Sequence, residues 1–429
     1  MERFGEHRPD FFVHLLDVEL YEDLALVTGN GGILIYNIAE DIEYLGRYIT
    51  GGGRGFACNS CAERDLAFVV GRESAPLCVI DISDPRNPQQ IATWQPDGEQ
   101  VEDCVVQGDL LIVSSHTAGL YFLDISNPRR PEVIGRFEDI ENCWELALDD
   151  SNNLYVADGD GGLVIINIEG DPELLSRSET AGTAIDVKVS GDRCAVAMGA
   201  TGVDIFDISD PSEPEPIGHF DTPTYAGHIG FDGNLIAVAD WNETLVYDIS
   251  DHDNIFISGR RYTELRAMGV DIRGNSVYTA DWSKFIGYTY GEIHGADIEF
   301  STRRIIPPGE DIVDTSLIVY NHGLETLVVD RIRCNAGGFE VDPGNFELEA
   351  NSSLELAFTY QPHERTQYPL QFNSNDTDDP NSSIMLEPYG GLSVGDEAPD
   401  FTARILGGGD YRLSDMAGRI QLIIFWTSW

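Results

Sequence analysis

One pattern recurs through the first 292 residues and excludes most folds. A short alternating strand, a Gly/Asn/Asp turn, an apolar strand and a Gly-containing loop are followed by a strand that closes on Asp-Ile-Ser or a variant of it. The anchors Ile38, Ile82, Ile125, Ile168, Ile208, Ile249 and Tyr290 stand 44, 43, 43, 40, 41 and 41 residues apart. A unit of that length holds four short strands and leaves no room for a helix of about ten residues. Sheets apolar on both faces must bury themselves against their neighbours, and radial repetition does so without long exposed edges. The repeat therefore predicts an all-β fold over residues 1–292, a seven-bladed β-propeller.

The most explicit copies read GLYFLDISNPRRPEVIGRF (119–137) and GVDIFDISDPSEPEPIGHF (202–220), with a weaker one at LCVIDISDPRNPQQIATW (77–94). In each, the Asp/Asn-Pro step makes the turn, because Pro fixes φ and Asp or Asn bonds back to its own backbone. These copies, with LVYDISD at 245–251, resemble the LVIVD repeat of bacteria and archaea. The resemblance implies a propeller, often in a cell-surface or secreted setting, and carries no catalytic signature. The first, fourth and seventh copies (ILIYNIAE, LVIINIEG, FIGYTYGE) depart from the pattern. The outer strands end at 46–48, 92–94, 135–137, 218–220 and 259–261, and the seventh copy lacks its own. Glu2-Arg3-Phe4 resembles the tail of such a strand. Either it completes the last blade, or the chain begins inside a blade.

The period stops after Tyr290. Strands expected at 315–320, 327–331, 353–360 and 368–373 alternate between Gly, Pro and Asn turns and predict an antiparallel sandwich over 293–391. Segments 318–334, 346–362 and 368–380 resemble the immunoglobulin-like modules of abnormal-spindle/hydin type, which implies a spacer or adhesion module. Residues 392–429 resemble the opening of the thioredoxin-like redoxins, peroxiredoxins and thiol-disulfide oxidoreductases. Ala398-Pro399-Asp400-Phe401 matches the start of that fold, Leu413-Ser414-Asp415 its first short helix and 420–426 its central strand. That resemblance implies an α/β fragment whose catalytic cysteines follow Trp429, and a thiol-redox partner for the missing domain. A strand ending in Trp without sheet partners cannot bury its apolar face, so the chain is expected to be a fragment of a longer redox protein.

Composition narrows the partners. Seventy-four acidic against 26 basic residues give a net charge of -48, and no basic cluster exceeds two adjacent arginines. Nucleic acid and anionic membrane surfaces are therefore poor partners. Lysine occurs only at Lys188 and Lys284 against 42 Asp and 32 Glu, the balance expected of a halophilic protein. No apolar run approaches the roughly 18 residues of a membrane span, and the N-terminus carries no signal-peptide core. An extracytoplasmic location therefore rests on the resemblances alone. Seven cysteines in a long chain do not build its fold. Cys58 and Cys61 form a CxxC that reads as a redox pair or half a metal site, but no helix follows to lower a thiol pKa. Cys78, Cys104 and Cys194 sit in apolar strands and read as buried small hydrophobes.

Aligning the repeats places Asp17, Asn59, Asp103, Glu145, Asp186, His228 and Gly269 as a ring around the channel mouth. An acidic ring reads as a seat for a cation or cationic ligand, or as carboxylates that cap turns and strand starts. Loops on that face add Asp158 and Asp160, Trp241 and Trp282. Trp beside Asp marks a sugar or peptide site, or packing between blades. The function expected is a propeller that binds a protein or glycan ligand and serves as docking scaffold for the redox domain. The alternative is a non-enzymatic adhesion protein with a vestigial redoxin segment. No catalytic residue, metal ligand set or cofactor motif emerges.

Overall fold

The computed structural model describes residues 1–9, 14–49, 57–71, 76–96, 99–252, 255–291, 295–302, 304–350, 352–364, 366–377 and 379–388, and the backbone of 402–404 and 410–412. The chain divides into two compact units, Met1–Glu292 and Ile293–Trp429. The described residues contain strands and turns and no helix.

In the first unit the repeat becomes a series of antiparallel sheets. Five of four strands each span 15–49, 57–94, 104–137, 146–178 and 186–220, with strands neighbouring in chain order. The local chemistry is the same in the first six copies. The Asp or Asn closing the third strand accepts a hydrogen bond from the amide two residues on, as Asp81 does from Ser83 at 3.1 Å and Asp207 from Ser209 at 2.9 Å. This side-chain turn reverses the chain without a glycine. The following anchor donates its own N–H back into the hairpin before it, Ile82 to Asp65 and Tyr290 to Asn275 among them. A β-bulge recurs at one position, between Val79/Ile80, Phe122/Leu123, Ile165/Ile166 and Ile205/Phe206, and strengthens the twist of the outer strand.

The sixth sheet has seven strands, in the order Glu2–His7, Lys284–Thr289, Ser276–Asp281, Phe256–Arg273, Trp241–Asp248, Leu235–Ala239, His228–Asp232. Its 18-residue strand Phe256–Arg273 pairs through 256–262 with Trp241–Asp248 and through 267–273 with Ser276–Asp281. No Gly or Pro lies between the two stretches, so two four-stranded groups run together. The strand missing from the seventh repeat is supplied by Glu2–His7, which pairs antiparallel with Lys284–Thr289. Phe4 packs there in a gap that only glycine leaves open: a Cβ on Gly287 would lie 2.4 Å from its ring.

Cores lie between consecutive sheets, and one lies between the two halves of the seven-stranded sheet. Phe68, Val79, Leu111 and Leu123 join the second to the third, and Ala197, Ile205, Ile229 and Val238 join the fifth to the sixth. Leu15, Val27 and Tyr36 of the first sheet pack against Tyr278 and Phe285 of the last strands. Hydrogen bonds cross the same seam, from Leu15 N to the Trp282 carbonyl at 2.9 Å and from Leu20 N to the Asp271 side-chain Oδ2 at 3.2 Å. First and last repeats therefore share a core in the way that neighbours do.

The second unit builds two sheets. One orders Ile298–Phe300, Val313–Asn321, Ser352–Gln361 and Gly337–Asp342; the other orders Arg304–Ile305, Ser383–Leu386, Tyr368–Ser374, Leu327–Arg333 and Phe346–Leu348. All pairs are antiparallel except Arg304–Ile305 with Ser383–Leu386. Alternate residues face inward, and Phe300, Val319, Phe358 and Tyr360 of the first sheet share one core with Val329, Leu370 and Phe372 of the second. In the segment 392–429 the described backbone is a two-stranded pair, Thr402–Arg404 with Asp410–Arg412; the expected redoxin helix and central strand lie outside the described residues.

Candidate functional site

The first strand of each sheet lies beside the first strand of the next; Asp103, Glu145, Asp186 and His228 lie at or just before the starts of theirs, and Asp17 and Asn59 are third in theirs. Asn59 donates to Glu145 Oε1 at 2.6 Å, reaching across the third sheet to the fourth, and to the Glu102 carbonyl at 3.1 Å. Asp103 Oδ2 accepts from Leu146 N at 2.8 Å, and Asp186 Oδ2 from Ile229 N at 2.7 Å, each tying one sheet to the next. His228 Nδ1 stands 3.7 Å from Asp17 Oδ1 and 3.9 Å from Asp186 Oδ2. Gly269 contributes no side chain because its strand runs against the first: a Cβ would meet Asp17 Cα at 2.5 Å. Asp17, Asn59, Asp103, Glu145, Asp186 and His228 thus converge.

Below this layer lies a second that the repeat alignment misses. Side chains two apart on a strand share a face, so Glu19, Lys188 and Asp271 follow Asp17, Asp186 and Gly269 along the same faces. Lys188 is one of two lysines in the chain, and Asp186, Glu19, Asp17, Glu145, Asp103 and Asp271 all act on its charge. Their pull, which outweighs burial, holds the Lys188 ammonium well above its ordinary pKa. One cation cannot neutralise six acids, of which Asp103, Glu145 and Asp186 are buried. Burial foremost, with like-charge repulsion added, pushes Glu19 up to about 8, Asp103 to about 7, Asp271 to about 6, and Glu145 well above the carboxylate range. The sequence signal was there: a lone lysine two residues beyond an aligned aspartate.

The Asp residues of the mouth loops have a different role. Asp158 accepts from the amides of Glu141 and Asn142 at 2.8 and 2.7 Å; Asp240 from Thr224 and Tyr225 at 3.0 and 2.6 Å; Asp281 from Leu265 and Arg266 at 3.3 and 3.1 Å. All three are fully buried. They pin the segment that leads into each first strand, the same job in three repeats. Asp160 accepts from Thr183 Oγ1 at 2.8 Å.

Immediately after these pins the loops turn through left-handed backbone. Gly159 and Gly199 take that conformation freely, but His116, Trp241 and Trp282 adopt it at φ of 42°, 57° and 29°. A bulky residue there costs on the order of 1 kcal/mol or more, a cost concentrated at functional positions. Trp241 is 39% exposed, with the Arg266 guanidinium 4.5 Å from its ring centre. Trp282 stacks on His14 at 4.2 Å. Beside them opens a pocket of about 610 Å³, walled by Trp144, Tyr225, Trp241 and Met198, with Glu145 and His228 of the ring in its lining. Trp144 and Tyr225 escaped the sequence reading because neither sits in a repeated motif. The Trp144 indole N–H is buried without a partner. Among the described residues no three His, Cys, Asp or Glu groups are placed to hold a metal.

Of the cysteines, Cys78, Cys104 and Cys194 are buried. The side chain of Cys58 lies outside the described residues; the Cys61 sulfur meets that of Cys104 at 3.1 Å.

Against known proteins, the LVIVD repeat matches residues 66–93, 98–139, 151–174 and 181–222. The chain carries LVIVD repeats on a β-propeller-like, all-β fold. No curated protein matches. Among solved structures it is similar to the computationally designed Ika8 protein at 9% identity and a TM-score of 0.51, over 67% of this chain and all of that one. A chain of the Mitotic Checkpoint Complex is similar at 10% identity and a TM-score of 0.54, over 68% of this chain and 94% of that one. At these identities the likeness is one of fold.

Proposed function

We propose that residues 1–292 are a seven-bladed propeller closed by Glu2–His7, and that its channel mouth binds a cationic side chain of a protein or peptide. The observation that carries this reading is the pocket itself, which joins aromatic faces of Trp144, Tyr225 and Trp241 to two positions of the acidic ring, Glu145 and His228. Aromatic faces attract cations, more strongly where water is excluded, and Trp241 already carries a guanidinium at 4.5 Å. The net charge of -48 draws such a ligand from a distance. Carboxyls that keep their protons because burial penalises their charge release them when a further cation arrives, so binding strengthens as pH rises.

The wider architecture is proposed with it. Residues 293–391 act as an immunoglobulin-like spacer, and 392–429 belong to a thioredoxin-like redox module that the propeller docks, outside the cytoplasm. The two-sheet core of the second unit supports the spacer; resemblance alone supports the redox module and the location. The test is a tryptophan-fluorescence titration of the full chain with acetyl-Gly-Arg-Gly-amide. Saturable binding that weakens at least tenfold in Trp241→Ala and Tyr225→Ala, and as salt rises, is expected. An unsaturable signal, or variants that bind as the parent does, sinks the proposal.

A further inference from the structure

We propose that Cys61 and Cys104 are an oxidation site, forming a disulfide that clasps the second sheet to the third when the chain folds in the presence of a disulfide oxidant. Cys61 lies on the strand Ala57–Glu63 and Cys104 opens the strand Cys104–Gln107, first strands of neighbouring sheets. Their sulfurs are 3.1 Å apart, inside one core with Phe68, Val101 and Tyr121. The Cys104 sulfur also meets the Phe68 carbonyl at 3.5 Å. Two thiols so placed need a shift of about 1 Å to reach disulfide bonding distance. Cys78, Cys143 and Cys194 lie singly in other cores.

The pairing differs from the one that sequence spacing suggests. Cys61 turns toward the next sheet, where its sulfur meets that of Cys104. The reaction is thiol–disulfide exchange. The Cys61 thiolate attacks glutathione disulfide, expelling one glutathione thiolate; the Cys104 thiolate then displaces the second glutathione. Two protein thiols become one disulfide, one glutathione disulfide becomes two glutathiones, and the thiol protons pass to these. Burial pushes both thiols up, Cys104 strongly. Thiolate is therefore scarce once the sheets have closed, and the bond forms during folding or on transient opening. Closing a loop between adjacent sheets restrains the unfolded chain.

The experiment refolds the full chain in a glutathione redox buffer, blocks free thiols and maps peptides without reduction. Expected is a peptide joining Cys61 to Cys104, lost on reduction, with a thermal midpoint about 3–6 °C above that of the reduced protein. Cys61→Ser and Cys104→Ser should each abolish both the linked peptide and the difference between oxidising and reducing buffers. Should either fail to fold, the parent protein's peptide map decides. A Cys58–Cys61 link, or full recovery of free thiols from protein refolded in the buffer, overturns the proposal.

Discussion

At the residue scale the chain solves one problem repeatedly, how to place carboxylates inside a β-fold. Asp158, Asp240 and Asp281 solve it with backbone amides, two or more for each carboxylate. Glu19, Asp103 and Asp271 solve it with protons, and with Lys188. The second solution has a pH signature whose sign is fixed. Folded, these groups hold protons up to about pH 8, 7 and 6, whereas the unfolded chain releases them near pH 4. A raised carboxyl pKa means that the folded state binds more protons between those limits. Stability from these groups is full below about pH 4 and falls as pH climbs through 6 to 8. Urea midpoints should therefore decline from pH 5 to pH 8. Lys188→Met should steepen that decline and cost about 3 kcal/mol at pH 8, because it leaves buried acids without their cation. A midpoint that rises over the same range would contradict this account of the channel.

At the element scale the repeat was legible because its turns are chemical. Asp81-Ile82-Ser83 and its equivalents reverse the chain by a side-chain hydrogen bond, and that bond needs the residue types seen in the sequence. Aligned positions at the starts of the first strands therefore converge as the alignment implied. Three features were not legible. Lys188 and Glu19 sit one period further along the strand than the motif reaches. The left-handed Trp241 is indistinguishable in sequence from any loop tryptophan. The pairing of Cys61 with Cys104 depends on which sheet each strand faces, which no spacing within one repeat encodes. The pairing of Glu2–His7 with Lys284–Thr289 belongs to this scale too. Deleting residues 1–7 exposes the strand Lys284–Thr289 as an edge and removes Phe4 from the seam core. The thermal midpoint of the deleted form should drop by roughly 5 °C or more, with self-association by edge pairing seen in sedimentation. An unchanged midpoint would mean that the strand decorates the last sheet without holding it.

At the scale of the whole molecule, one acidic field surrounds a chain built of two compact units. On the proposed reading field and pocket act at different ranges: the net charge of -48 would set which ligands arrive, and the walls at Trp144, Tyr225 and Trp241 would set which stay. Aromatic walls without the carboxylates would admit neutral sugars equally well. Carboxylates without the walls would bind small cations with no selectivity among organic ones. On that reading both meet at one seat. The measurement that tests it most directly is a crystal structure of the full chain grown with acetyl-Gly-Arg-Gly-amide at a concentration that saturates the fluorescence change. The account predicts guanidinium density against the rings of Tyr225 and Trp241, within reach of Glu145. Density elsewhere on the molecule, or an empty pocket at saturation, would contradict it.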